Sequence, residues 1–199
     1  MSTDSWINLS ISISTFLAVI VALFGENIRA RLFSPRLSIA VKKTAEKNRT
    51  NKGEEIWYYH LVISNQRKAI ANNVIVMLTQ IENNWDGGKQ SIWTGEVPLS
   101  WMFGLVAGNI FRNIGSSQYC DLIAVGKETG AFLEPLITPN NLHFLWKDKM
   151  NITLTICVKS DQNTTLERKF MIAWDGLWDQ GETEMAKHLV IKALPELTK

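Results

Sequence analysis

INLSISISTFLAVIVALF, residues 7–24, contains no charged side chain and decides how the rest of the chain is read. It reads as a single membrane-spanning helix near the N-terminus, with Ile7, Phe16, Ile20 and Phe24 marking the apolar span. At 1.5 Å of rise per residue the stretch covers about 27 Å of a hydrocarbon core roughly 30 Å thick. Residues 16–24 are apolar throughout, whereas Asn8, Ser10, Ser12, Ser14 and Thr15 dilute the first half. Trp6 stands where an aromatic residue meets lipid headgroups. Two other readings apply to such a stretch: the buried helix of a soluble protein, and a signal peptide. The second lacks its usual marks, because residues 1–6 offer only Asp4 in place of a basic region and no A-x-A site follows.

The flanks give a direction. No Lys or Arg precedes the span, while Arg29, Arg31, Arg36, Lys42 and Lys43 follow it against a single Glu26. The positive-inside rule puts the N-terminus outside and the C-terminal domain in the cytoplasm of a single-pass cell-membrane protein. Arg29, Arg31 and Arg36 then suit anionic lipid headgroups, at roughly 1 kcal/mol per basic residue near the surface. This basic stretch has no interleaved aromatics, so no nucleic-acid partner is expected. Within the span, Asn8, Ser12, Thr15, Val19 and Ala22 follow a 4-3-4-3 spacing and share one helical stripe. Small and hydrogen-bonding residues of this kind join helices in lipid, which makes self-association, or capture of another membrane protein, the expectation; the alternative is that Ser and Thr bond their own backbone.

Behind the anchor about 165 residues remain, enough for one domain and few for two. Expected boundaries are residues 1–35 for the anchor and juxtamembrane helix, 36–178 for a β-sandwich, and 179–199 for an acidic turn and a short C-terminal helix. Ser34-Pro35 stops the first helix, since a residue before proline is pushed out of the α region. LSIAV (37–41) alternates as a first strand, and the charged run 42–55 reads as a loop. IWYYHLVISN (56–65) sets Trp57, Tyr59, Leu61 and Ile63 on one face and Tyr58, His60, Val62 and Ser64 on the other. Further strands are expected at 73–81, 91–97, 99–103, 118–125 and 131–137, with a turn at NWDGGK (84–89) and a loop at 105–117. The clearest hairpin alternates Ile152, Leu154, Ile156 and Val158, turns at SDQNT (160–164), and returns through Phe170, Ile172 and Trp174. Short strands separated by turn signals, without intervening helices, describe a mainly β antiparallel sandwich. Met185, His188, Leu189 and Ile191 fit one face of a final helix.

LVISNQRKAIANNVIV (61–76) resembles the V-x-N-x-G…A-x-N-V-x-V corner of fibronectin-III-like and immunoglobulin-like bacterial adaptor domains. Asn65, Ala71, Asn73, Val74 and Val76 fall on the matching positions, and Arg67 stands where the glycine is expected. The chain as a whole also looks like bacterial single-pass membrane proteins carrying such a sandwich. The resemblance implies a fold and carries no activity or site.

Motifs for chemistry are sparse. His60, His143 and His188 form no HExxH or zinc pattern, though folding could gather two of them beside a carboxylate. There is no P-loop and no GxSxG elbow. Cys120 and Cys157 lack metal spacing and are expected reduced and packed. The sequons at Asn48, Asn151 and Asn163 matter only for a secreted domain. WDGLWDQGETE (174–184) could gather a hard cation, but the simpler reading is a turn whose carboxylates favour the start of the last helix. Trp85 and Trp93 flank a turn and are candidates for exposed aromatic contacts. No catalytic residue, metal ligand or cofactor site emerges, so an enzyme is not expected. The expected function is a membrane-tethered cytoplasmic sandwich acting as a protein-interaction or regulatory module. The alternatives are a ligand-sensing membrane effector, for example in bacterial defence, with a small-molecule ligand of unknown identity, or, with reversed topology, an extracytoplasmic glycan-binding domain.

Overall fold

A computed structural model of the chain describes residues 3–85, 88–102, 110–162 and 165–195. Contacts divide the chain into two units, Met1–Ser34 and Pro35–Lys199.

The first unit is one helix, α1 (Thr3–Phe33), which ends where Ser34-Pro35 predicts. Trp6–Gly25 has a mean hydropathy of 2.2, and none of this stretch is buried. The hydroxyls that dilute the apolar run are satisfied within the helix. Ser12 donates to the Asn8 carbonyl at 2.9 Å and Thr15 to that of Ile11 at 2.8 Å, with Ser10 and Ser14 bonded in the same way. This is the local alternative to bonding across helices, and it lowers the cost of placing those groups in an apolar medium.

The second unit is a sandwich of two antiparallel sheets. The first contains β1 (Leu37–Val41), β2 (Glu46–Arg49), β3 (Glu55–Asn65), β7 (Ser117–Gly126), β8 (Gly130–Phe132) and β9 (Leu145–Trp146). Its order is β1-β3-β7-β8-β9, with β2 also paired to β3. The second contains β4 (Ala71–Trp85), β5 (Gly88–Pro98), β6 (Arg112–Ile114), β10 (Met150–Lys159), β11 (Thr165–Trp174) and β12 (Leu189–Ala193). Its order is β12-β11-β10-β4-β5, with β6 paired to β4. A helix, α2 (Glu182–His188), sits between β11 and β12 in the chain. One buried cluster joins the inner faces: Ile39, Leu61 and Ile63 from the first sheet, Leu78, Leu154 and Phe170 from the second.

The period-two alternation holds on β11, where Phe170, Ile172 and Trp174 are buried, whereas β10 is buried on both faces, Thr153, Thr155 and Cys157 included. Ile152, Leu154, Ile156 and Val158 are buried on β10, and the hairpin closes in the expected register, Met150 opposite Trp174 and Lys159 opposite Thr165. It slips at β-bulges. Between β3 and β7 the register shifts after Tyr59, so that Leu122 is the extra residue of the bulge and His60 lies opposite Asp121. His60 is buried on the face opposite Leu61 and Ile63.

Several expectations are corrected. The loop 42–55 contains β2, and the loop 105–117 contains β6. The strand expected at 99–103 is reduced to isolated bridges, Leu99 with Pro135 and Trp101 with Cys120, and Phe103 lies outside the described residues. The strand expected at 131–137 stops at Phe132. Leu189 and Ile191 belong to β12, not to the final helix, because pairing with β11 satisfies their backbone where a helix would leave the sheet edge open. Leu189–Ala193 is therefore a strand of the second sheet, and Met185 and Leu189 are buried in the core.

The corner at 61–76 has a physical cause for its residues. Asn65 Oδ1 accepts the Arg36 and Arg67 amides at 3.2 and 3.1 Å, and Nδ2 donates to the Ala69 and Ile114 carbonyls, the latter at 3.1 Å. One side chain thus ties the chain before β1, the β3–β4 turn and the end of β6. Asn73 adopts φ +48, a left-handed conformation that asparagine tolerates, and donates to Asp161 Oδ2 at 2.6 Å. Ala71, Val74 and Val76 are fully buried.

Candidate functional site

A cavity of about 740 Å³ opens beside the second sheet, within the range typical of small-molecule sites. Its floor is apolar, from Ile92, Met150, Ala173, Trp174 and Val190. Ala173 and Val190 are register partners on β11 and β12 and share one face of the sheet, whereas Met150 and Trp174, partners of each other, are buried on the opposite face and reach the cavity at the strand ends. Beside them Asn84 donates to Asn151 Oδ1 and Thr153 Oγ1, both at 3.1 Å, and Asn83 completes an amide wall. Thr153 is fully buried and consumed by this network.

The rim carries the charge. His143 packs edge-on against Trp146, with ring centroids 5.1 Å apart. His188 Nδ1 lies 2.8 Å from Asp175 Oδ2, and Asp175 Oδ1 accepts the Leu177 amide at 2.9 Å. A carboxylate only accepts, so Nδ1 of His188 carries the proton and Nε2 is its other functional atom. Burial works to raise the Asp175 carboxyl, but hydrogen bonds from His188 and the Leu177 backbone outweigh it and hold the group below its ordinary value. Lys187 is paired with Glu184 at 2.6 Å. Lys149 is exposed and has no ion-pair partner among the described residues.

Folding thus brings two of the three histidines to one cavity and sets one of them, His188, against a carboxylate, which the sequence spacing does not disclose. An Asp-oriented imidazole can act as a general base. No Ser, Thr or Cys appears among the described lining residues.

The third histidine stands elsewhere. His60 Nδ1 lies 2.8 Å from Asp121 Oδ1, its ring stacks on Tyr58, and Glu46 Oε2 is 3.7 Å from Nε2. Nε2 has no hydrogen-bond partner among the described residues. This group joins β2, β3 and β7. Burial, reinforced by the Asp121 charge, raises the nearby Glu134 carboxyl. The acidic turn at 174–184 spends its carboxylates on backbone amides: Asp179 accepts from Gly181 at 2.7 Å and Glu182 from Ala45 at 2.9 Å. No group of three His, Cys, Asp or Glu is placed to hold a metal among the described residues. Both cysteines are free and buried; burial pushes the Cys120 and Cys157 thiols up, which leaves them unreactive.

Trp93, expected as an exposed contact, is instead buried in the core, because β5 turns that position inward opposite Ile81. The Trp85 side chain lies outside the described residues, as do those of Arg29 and Arg31. Arg36 is exposed just before β1. Ile7, Phe16 and Phe24 are exposed along α1.

Comparison of the chain with known protein families, with curated proteins and with solved structures finds no match.

Proposed function

We propose that this chain is a single-pass membrane protein whose helix tethers an immunoglobulin-like β-sandwich at the cytoplasmic face, where the sandwich acts as an interaction module. The observation that carries the reading is α1 itself. It presents a 20-residue apolar stretch with no burial, which in water would expose far more contiguous apolar surface than a soluble protein tolerates. The basic residues that follow the span support the orientation. The sandwich closes its own core, so the helix is free to serve as an anchor. An interaction role is supported by β5, an 11-residue strand at the end of the second sheet. Its outer row of backbone groups can accept a further strand. Self-association through the Asn8, Ser12, Thr15, Val19 and Ala22 stripe would rest on close packing, since the Ser12 and Thr15 hydroxyls are already used.

The anchor is tested by membrane fractionation. The full chain should stay with membranes through an alkaline wash and be released by detergent. Phe16→Arg with Ile20→Arg should move it to the soluble fraction, because each arginine near the centre of a span costs about 3 kcal/mol. Release of the unaltered chain by the wash would refute the anchor.

A further inference from the structure

We propose that the cavity beside the second sheet binds a small aromatic carboxylate, with its ring against Trp146 and its acid group at Lys149. The inference concerns the sandwich alone and stands whether or not α1 enters a bilayer.

The chemistry of the walls selects this class. The floor of Ile92, Met150, Ala173 and Val190 offers apolar area to a ligand body of similar character. The polar groups around it are already engaged. Asn84 is spent on Asn151 and Thr153, and the Trp174 indole donates to the Leu177 carbonyl at 2.7 Å. A highly hydroxylated ligand such as a sugar would find few free partners there. The His143–Trp146 pair presents ring faces and edges, which suit a flat π-system.

Charge decides the other end of the ligand. Among the lining residues, Lys149 and Lys187 stand against the single carboxylate of Asp175. Lys187 is neutralised by Glu184, and both Asp175 oxygens are occupied by His188 and the Leu177 amide. Lys149 is therefore the lining lysine without an ion-pair partner among the described residues, three residues along the chain from Trp146. Its ammonium can pair with a carboxylate at the mouth while the ring lies inside. A cationic ligand would meet Lys149, while the Asp175 carboxylate is already bonded to His188 and the Leu177 amide.

The test uses the full chain in detergent micelles, titrated calorimetrically with sodium 2-naphthoate against a micelle-only blank. Neutral 2-naphthalenemethanol and acetate isolate the contributions of ring and charge. Saturable binding of one 2-naphthoate per chain is expected, with acetate undetectable and the alcohol about tenfold weaker. Lys149→Gln should weaken 2-naphthoate about tenfold, equivalent to 1.4 kcal/mol, and leave the alcohol unchanged. Lys43→Gln, an exposed charge change outside the cavity lining, should alter neither. Absence of saturable heat above the blank would overturn the proposal, and so would a Lys149→Gln chain, with unchanged melting temperature, that binds 2-naphthoate as tightly as the original.

Discussion

Leu154→Asp abolishes the folded sandwich. Leu154 is 1% exposed on the central strand β10, with Ile81 of β4 on one side and Phe170 of β11 on the other. Neither neighbour can hydrogen-bond or neutralise a carboxylate. An unpaired charge there costs on the order of 5 kcal/mol even after it takes up a proton, comparable to the whole stability of an ordinary domain. Circular dichroism of the variant should show loss of the β signal, and a cooperative melt near that of the original chain would mean that this face is not the core. Ile156, two residues on, is a milder position despite equal burial. Its partner on β11 is Arg168, which donates from Nη1 to the Ile39 carbonyl at 2.6 Å and leaves Nε without a partner. Aspartate at 156 would find that guanidinium, so Ile156→Asp should destabilise less than Leu154→Asp.

Gly130→Ala should lower the melting temperature by roughly 6–12 °C, corresponding to about 3 kcal/mol for a domain of this size. Gly130 opens β8 at φ +89, a conformation that L-residues adopt only at a cost. A Cβ at this position would collide with the Trp146 carbonyl oxygen and meet the Lys147 Cα at 3.1 Å. Both atoms are backbone, so the β8–β9 pairing must move, and with it the Trp146 wall of the cavity. Gly115→Ala is the matched control: no atom lies within 4 Å of its Cβ and its φ is ordinary, so its melting temperature should hold or rise slightly.

The strands that the sequence discloses are those whose apolar residues recur at every second position. LSIAV and β11 alternate in burial as their residues do, whereas β10 carries the same apolar alternation but is buried on both faces, Thr153, Thr155 and Cys157 included. Residues 56–65 read correctly as a strand, but a single extra residue on the neighbouring strand, Leu122, moves His60 into a buried pairing with Asp121 that no count along one strand can show. Leu189 and Ile191 are too few to separate a helical from a strand period, and their pairing partner β11 lies some twenty residues away. The cavity was the least legible feature. His143, Asp175 and His188 line one cavity although the chain holds them more than thirty residues apart at the widest, and the sign that could have pointed there was the gathering of Trp, Lys and His at 143–149. Trp93 misled because proximity to a turn suggests exposure, whereas its register opposite Ile81 turns it inward.

The account depends most on where the sandwich lies. The polarity rests on Arg29, Arg31, Arg36, Lys42 and Lys43, all on the C-terminal side of the apolar stretch. The decisive measurement fuses two reporters in turn after Lys199, one active only in the cytoplasm and one active only outside it. A tethered cytoplasmic sandwich predicts activity of the first and silence of the second. Activity of the second with silence of the first would reverse the topology and contradict a cytoplasmic interaction module.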